Sequence, residues 1–90
     1  MAQTVGDPTE IRKFAQMLQR FNHDLTNNTR VLQGQFRTLG ETWKDQQHAK
    51  FAQEFEQLMV TLQKFAQSSE EQIPRLQKKA QLLEEYLKSR

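Results

Sequence analysis

The chain has 90 residues, no cysteine, two histidines and a formal charge of only +2. That length allows one small domain. The missing cysteines exclude disulfides, thiolate metal sites and thiol catalysis, and the near-balanced charge argues against a nucleic-acid partner despite a pI of 9.2.

Residues 1–6 read as a short disordered lead. They hold neither a basic nor an apolar region of the kind that makes an ordinary secretory signal. Asp7-Pro8-Thr9-Glu10 then starts a helix: Asp7 accepts from first-turn amides, Pro8 suits the first helical position, and Glu10 favours the positive end of the dipole. Ile11, Phe14, Leu18, Phe21, Leu25, Leu32, Phe36 and Leu39 come next, mostly at steps of three and four, with a polar gap at Asn28. They form one helical stripe, so helix 1 is expected over about 8–39, with Gly40 as its stop.

A turn is expected over about 40–45, holding the only tryptophan, Trp43, with Thr42 and Asp45 as candidate caps for a second helix. Helix 2 is expected from about 46 to 73, striped by Phe51, Phe55, Leu58, Leu62 and Phe65, then polar Ser69, then Ile73. Pro74 removes a backbone donor and crowds the preceding turn, which predicts a kink or break near 70–73 and a separate helical tail over about 75–88. Folding the arms antiparallel about residue 42 sets Ile11 opposite roughly residue 73, by equal 1.5 Å steps along both arms. The tail then has no partner inside its own hairpin. Residues 8–39 carry +3, residues 41–71 carry −3 and residues 72–90 carry +3, a balance that favours arm-to-arm pairing.

The expected fold is all-α: an antiparallel helix-turn-helix hairpin. Two such stripes make a thin core and leave apolar edges, so a dimer forming a four-helix bundle is expected. Its partner surface would use Phe14, Leu18, Phe21, Phe55, Leu58, Leu62 and Phe65. Leu83, Tyr86 and Leu87 are candidate recognition residues in the tail, and the solvated or dimer-paired reading of that tail stands beside them. Trp43 either plugs the hairpin end or serves as a recognition surface. Asn28 and Ser69 read as seam polars that set register. His23 and His48 lack ligand-spaced neighbours, and no nucleophile–base pair or phosphate loop is visible, so neither an enzyme nor a cofactor is expected. No apolar run approaches the ~20 residues of a membrane span, and no stable membrane insertion is expected.

Gly40-Glu41-Thr42-Trp43-Lys44-Asp45, with Phe51 and Phe55 after it, resembles the central turn of the Trp-x-Gly (WXG) family, the early-secretory-antigen-like proteins of bacterial type VII secretion. The similarity covers nearly the whole chain: length, absence of cysteine, two helices and a Trp between them. It departs at Asp45, where the family has glycine, and at Arg90, where the family's export motif has an acidic residue four after a tyrosine, here Tyr86. The resemblance implies a hairpin that pairs with itself or with a paralogous WXG-like chain. It also implies a secretion ATPase as a further partner, and a cytoplasmic protein that leaves without a cleaved signal peptide. A cytosolic coiled-coil adaptor or assembly protein with no secretion role is the alternative.

Overall fold

A computed structural model of the chain describes residues 6–89. Two helices, α1 (Pro8–Thr42) and α2 (Gln46–Lys88), lie against each other in a rod of 68 × 20 × 19 Å. Asp7 caps α1, its carboxylate accepting from the Thr9 amide at 2.9 Å with Pro8 in the first turn. Of the lead expected over 1–6, only Gly6 falls among the described residues. It has φ 129°, and a Cβ there would come within 3.0 Å of Leu83 Cδ1. Only glycine fits both that backbone region and that contact.

Both helices repeat every seven residues. In α1 the inward positions are Ala15, Asn22, Thr29 and Phe36, alternating with Ile11, Leu18 and Leu25. In α2 they are Ala52, Met59, Ala66, Ile73 and Ala80, alternating with Phe55, Leu62, Ser69, Leu76 and Leu83. A strict seven-residue repeat is a coiled-coil seam, and it keeps facing one partner along the whole length of both helices. Ala15 and Ala80 are essentially fully buried, at 1% and 0% exposure. Their small side chains let the two backbones approach at the open end of the hairpin. Among the described residues no large side chain is fully buried, so this is a shallow core.

Four expectations change. First, α2 is continuous through Pro74; no break separates a tail. Pro74 lies on the exposed side of the helix, as does Glu70, whose carbonyl loses its donor. Water can satisfy that carbonyl, while buried Ile73, Ala80 and Leu83 hold both sides of the proline against α1. Second, residues beyond Pro74 do have a partner in their own hairpin. Ser69 bonds Asn22, which centres the fold between residues 45 and 46, and Arg12 pairs with Glu84 at 2.7 Å. Each residue by which that centre moves shifts the facing residue by two, so Ile11 lies level with the turn from Ala80 to Leu83 rather than with residue 73. Third, α1 runs through Gly40 to Thr42, and Gly40 has no positive φ. Its bare Cα faces the His48 ring, where a Cβ would sit 3.4 Å from Nε2. Fourth, the opposite charges of the arms do not appear as contacts. Arg12–Glu84 is the ion pair between the helices among the described residues. It is half exposed, which makes it a minor contributor, and Glu84 belongs to the basic segment.

Gly34 sits inside α1 with no side chain but the tip of Arg37 near its Cβ position, at 4.0 Å. Gly34→Ala should therefore stabilise the hairpin by about 0.5–1 kcal/mol through backbone entropy alone. Urea unfolding tracked by circular dichroism at fixed protein concentration would read this; a loss of stability would mean the position carries a contact.

Candidate functional site: an aromatic corner and one apolar flank

The corner is built by the capping residues. Trp43 ends α1, its amide bonding the Leu39 carbonyl at 3.0 Å, and the Thr42 hydroxyl donates to the same carbonyl at 3.4 Å. Asp45 starts α2, its carboxylate accepting from the His48 amide at 3.2 Å. That cap fixes the first turn and points the His48 ring back across the hairpin end. The ring stacks on Phe36 of α1 (5.2 Å between centroids, 7° between planes) and meets Trp43 edge-on at 5.1 Å. Phe36 also packs on Phe55 at 4.6 Å and Phe51 at 5.7 Å, while Trp43 reaches Phe51 at 6.3 Å. His48, rather than tryptophan alone, joins the two helices here. In the sequence it is only a histidine without ligand-spaced neighbours; its place three residues after a capping Asp is the signal that it turns inward. Asp45→Ala should cost about 1 kcal/mol and loosen the corner, seen as a change in Trp43 fluorescence. An unchanged spectrum and stability would show that the cap does not hold the ring.

Along the rod, the two sides of the seam differ in chemistry. One side carries Arg12, Gln19, Thr26 and Gln33 from α1 and Gln63, Glu70 and Gln77 from α2, lining shallow polar grooves, with Glu56 and Glu84 in the same seven-residue series. The other side carries Phe14 and Phe21 from α1 and Phe51, Leu58 and Phe65 from α2, seven residues apart within each helix. None of these five is buried: Phe14, Phe21 and Leu58 are slightly more than half exposed, Phe51 and Phe65 slightly less. Phe21 and Phe65 meet across the helices edge-to-face at 6.0 Å. Leu32 and Leu39 add to the same flank.

Of the residues expected at a partner surface, Phe14, Phe21, Leu58 and Phe65 are therefore exposed, while Leu18, Phe55 and Leu62 are half-buried in the seam, Phe55 and Leu62 also lining grooves on its polar side. In the expected tail trio, Leu83 is buried against α1, and Tyr86 and Leu87 are exposed. Of the two polar seam residues expected, Ser69 is buried and donates to Asn22 Oδ1 at 2.7 Å, but Asn28 lies on the exposed flank. Asn22 escapes a three-and-four count because its neighbours Phe21 and Leu25 satisfy that count without it; the seven-residue repeat from Ala15 to Phe36 marks it.

Among the described residues, no group of His, Asp and Glu side chains is placed to hold a metal ion, and no helix is long and apolar enough to cross a membrane. The arrangement offers an exposed apolar flank beside an aromatic corner. No curated protein matches the chain. The family described as proteins of 100 residues with WXG matches residues 4–86, spanning both helices and the corner, and the chain belongs to this WXG100 family of small helical, secretion-associated proteins.

Proposed function

We propose that the chain is a type VII secretion-associated hairpin, an exported substrate or its partner subunit, which works by burying its apolar flank against another WXG-like chain. Family membership supports the setting. The single observation that carries the mechanism is the row Phe14, Phe21, Leu58 and Phe65, all about half exposed on one side of the seam. Such a row beside so shallow a core is surface left for a partner. The secretion ATPase would act on the assembled pair, with the Trp43 corner and the Tyr86–Leu87 end as the parts left outside the bundle.

The test is export from cells with and without the membrane ATPase of the secretion system. The chain, or its partner, should appear in the medium only when the ATPase is present. ATPase-independent release, or retention of both chains, would overturn the proposal. Arg90, four residues after Tyr86 in place of an acid, favours a partner-subunit role over self-directed export and keeps the cytosolic adaptor as the second reading. An adaptor would bind its partner equally well and never depend on the ATPase.

A further inference from the structure

We infer that the polar side of the seam, opposite the apolar flank, holds a notch for an amide group carried by another polypeptide. The notch lies beside Pro74, between Asn22, His23 and Thr26 of α1 and Glu70, Ile73 and Pro74 of α2. On the α1 wall, Asn22 is 3% exposed. Its Oδ1 accepts from the Ser69 hydroxyl, and its Nδ2 is closed off from solvent with no acceptor in the protein. On the α2 wall, Pro74 has no N–H, so the Glu70 carbonyl one turn before it lacks its helical donor. One unused donor and one unused acceptor thus flank the same groove, from opposite helices. Register accounts for the bonded end of Asn22 and leaves the unpaired end without a reason. Alanine at position 74 would make the better helix. Both residues cost the hairpin stability, and they do so at the same place.

The ligand's chemistry follows from those two groups. A carboxylate or phosphate would accept from Asn22 but would face the Glu70 side chain, a like charge. An ammonium group would donate to Glu70 and leave Asn22 unmet. An amide carries a carbonyl oxygen and an N–H on separate atoms of one plane, so it accepts from α1 while it donates to α2. The rim residues Gln19 and His23 are exposed, and their side chains can turn aside to admit it. Past Pro74 the groove continues along Gln16, Gln77 and Gln81, whose carboxamides also donate and accept. A polypeptide that seats one amide in the notch therefore meets further groups of the same kind beyond it.

The full chain, isotope-labelled for NMR, is titrated with acetamide, which stands in for a carboxamide side chain, and with N-methylacetamide, which stands in for the main chain. Acetate, an acceptor only, and methylammonium, a donor only, are the controls. The Asn22 carboxamide resonances should shift and saturate with at least one amide and with neither control. Whichever amide binds more tightly names the source. Pro74→Ala returns an N–H to the Glu70 carbonyl. It should raise the urea midpoint of the hairpin and yet weaken amide binding about three- to tenfold, the range for one hydrogen bond. Asn22→Leu should abolish the saturable shift at the Glu70 and Glu71 backbone amides. Shifts that stay linear into the molar range, or that a control reproduces, overturn the notch. So does a Pro74→Ala chain that gains stability and keeps full affinity, because the proline is then only a tolerated defect in the helix. The apolar flank takes no part in these measurements, so the secretion-partner proposal stands or falls separately.

Discussion

Ser69→Ala, which removes a single oxygen, is expected to destabilise the hairpin by about 1–3 kcal/mol, the cost of leaving a buried polar group unsatisfied. Asn22 is 3% exposed; its Oδ1 accepts from the Ser69 hydroxyl, and its Nδ2 is buried without a protein partner. Without Ser69 the whole carboxamide is orphaned in the seam. The reverse substitution is gentler. In Asn22→Leu the Ser69 hydroxyl can turn to a carbonyl of its own helix, and the leucine fills the volume. The double variant Asn22→Leu/Ser69→Ala should recover what Ser69→Ala loses, and the coupling between the two is read from a double-mutant cycle. Urea unfolding at one fixed protein concentration is the measurement, since association shifts apparent stability. Additive effects would show that the pair does not act as a unit. The recovered stability should come with looser pairing of the helices, because a lone polar contact in an apolar seam is a register device.

The neighbouring leucines near the open end provide the second large effect. Leu83 is 6% exposed and Leu82 is 51% exposed. Leu83→Ala should cost about 2–5 kcal/mol, the range for a buried Leu→Ala change, and should free Gly6 from the contact it makes there. Leu82→Ala should stay within about 0.5 kcal/mol, as surface changes do. The same unfolding assay compares them. Equal effects would mean that residues beyond Pro74 do not dock on α1, and a chain ending at Gln72 would then keep full stability. With Leu83 docked, that truncation should instead expose Ala15 and the start of α1 to rapid amide exchange.

Much of this architecture is legible in the residues. Local chemistry is the readable part: Asp7 with Pro8 declares a helix start, and of the two candidate caps for the second helix Asp45 caps α2 while Thr42 closes α1, because a capping carboxylate acts within three residues of itself. The all-α hairpin comes from the spacing of Phe and Leu. Properties decided by the residues across the seam are harder to read. Pro74 looks like a stop until Ile73 and Ala80 are seen buried on either side of it. Gly40 looks like a cap until its backbone proves helical. The facing of Asn22 and Ser69 depends on where the fold is centred, and a small error in the centre doubles along the arms. The exposed apolar flank is partly visible, because Phe14, Phe21, Leu58 and Phe65 belong to the apolar stripe. The seven-residue repeat decides which of the stripe's residues point inward and which sideways, a finer period than a count of threes and fours resolves.

The contrast between the two sides of the seam limits what the molecule can build. Gln19, Thr26, Gln63 and Gln77 lie on one side of the seam and Phe14, Phe21, Phe51 and Phe65 on the other, so in the proposed pairing each hairpin has a valence of one. A rod with apolar rows on both sides would add copies without end and grow into fibres. This one, paired as proposed, has its row of phenylalanines covered and polar residues on the opposite side of the seam. If the proposed pairing holds, raising the concentration should fill pairs and then stop, leaving a particle of fixed stoichiometry.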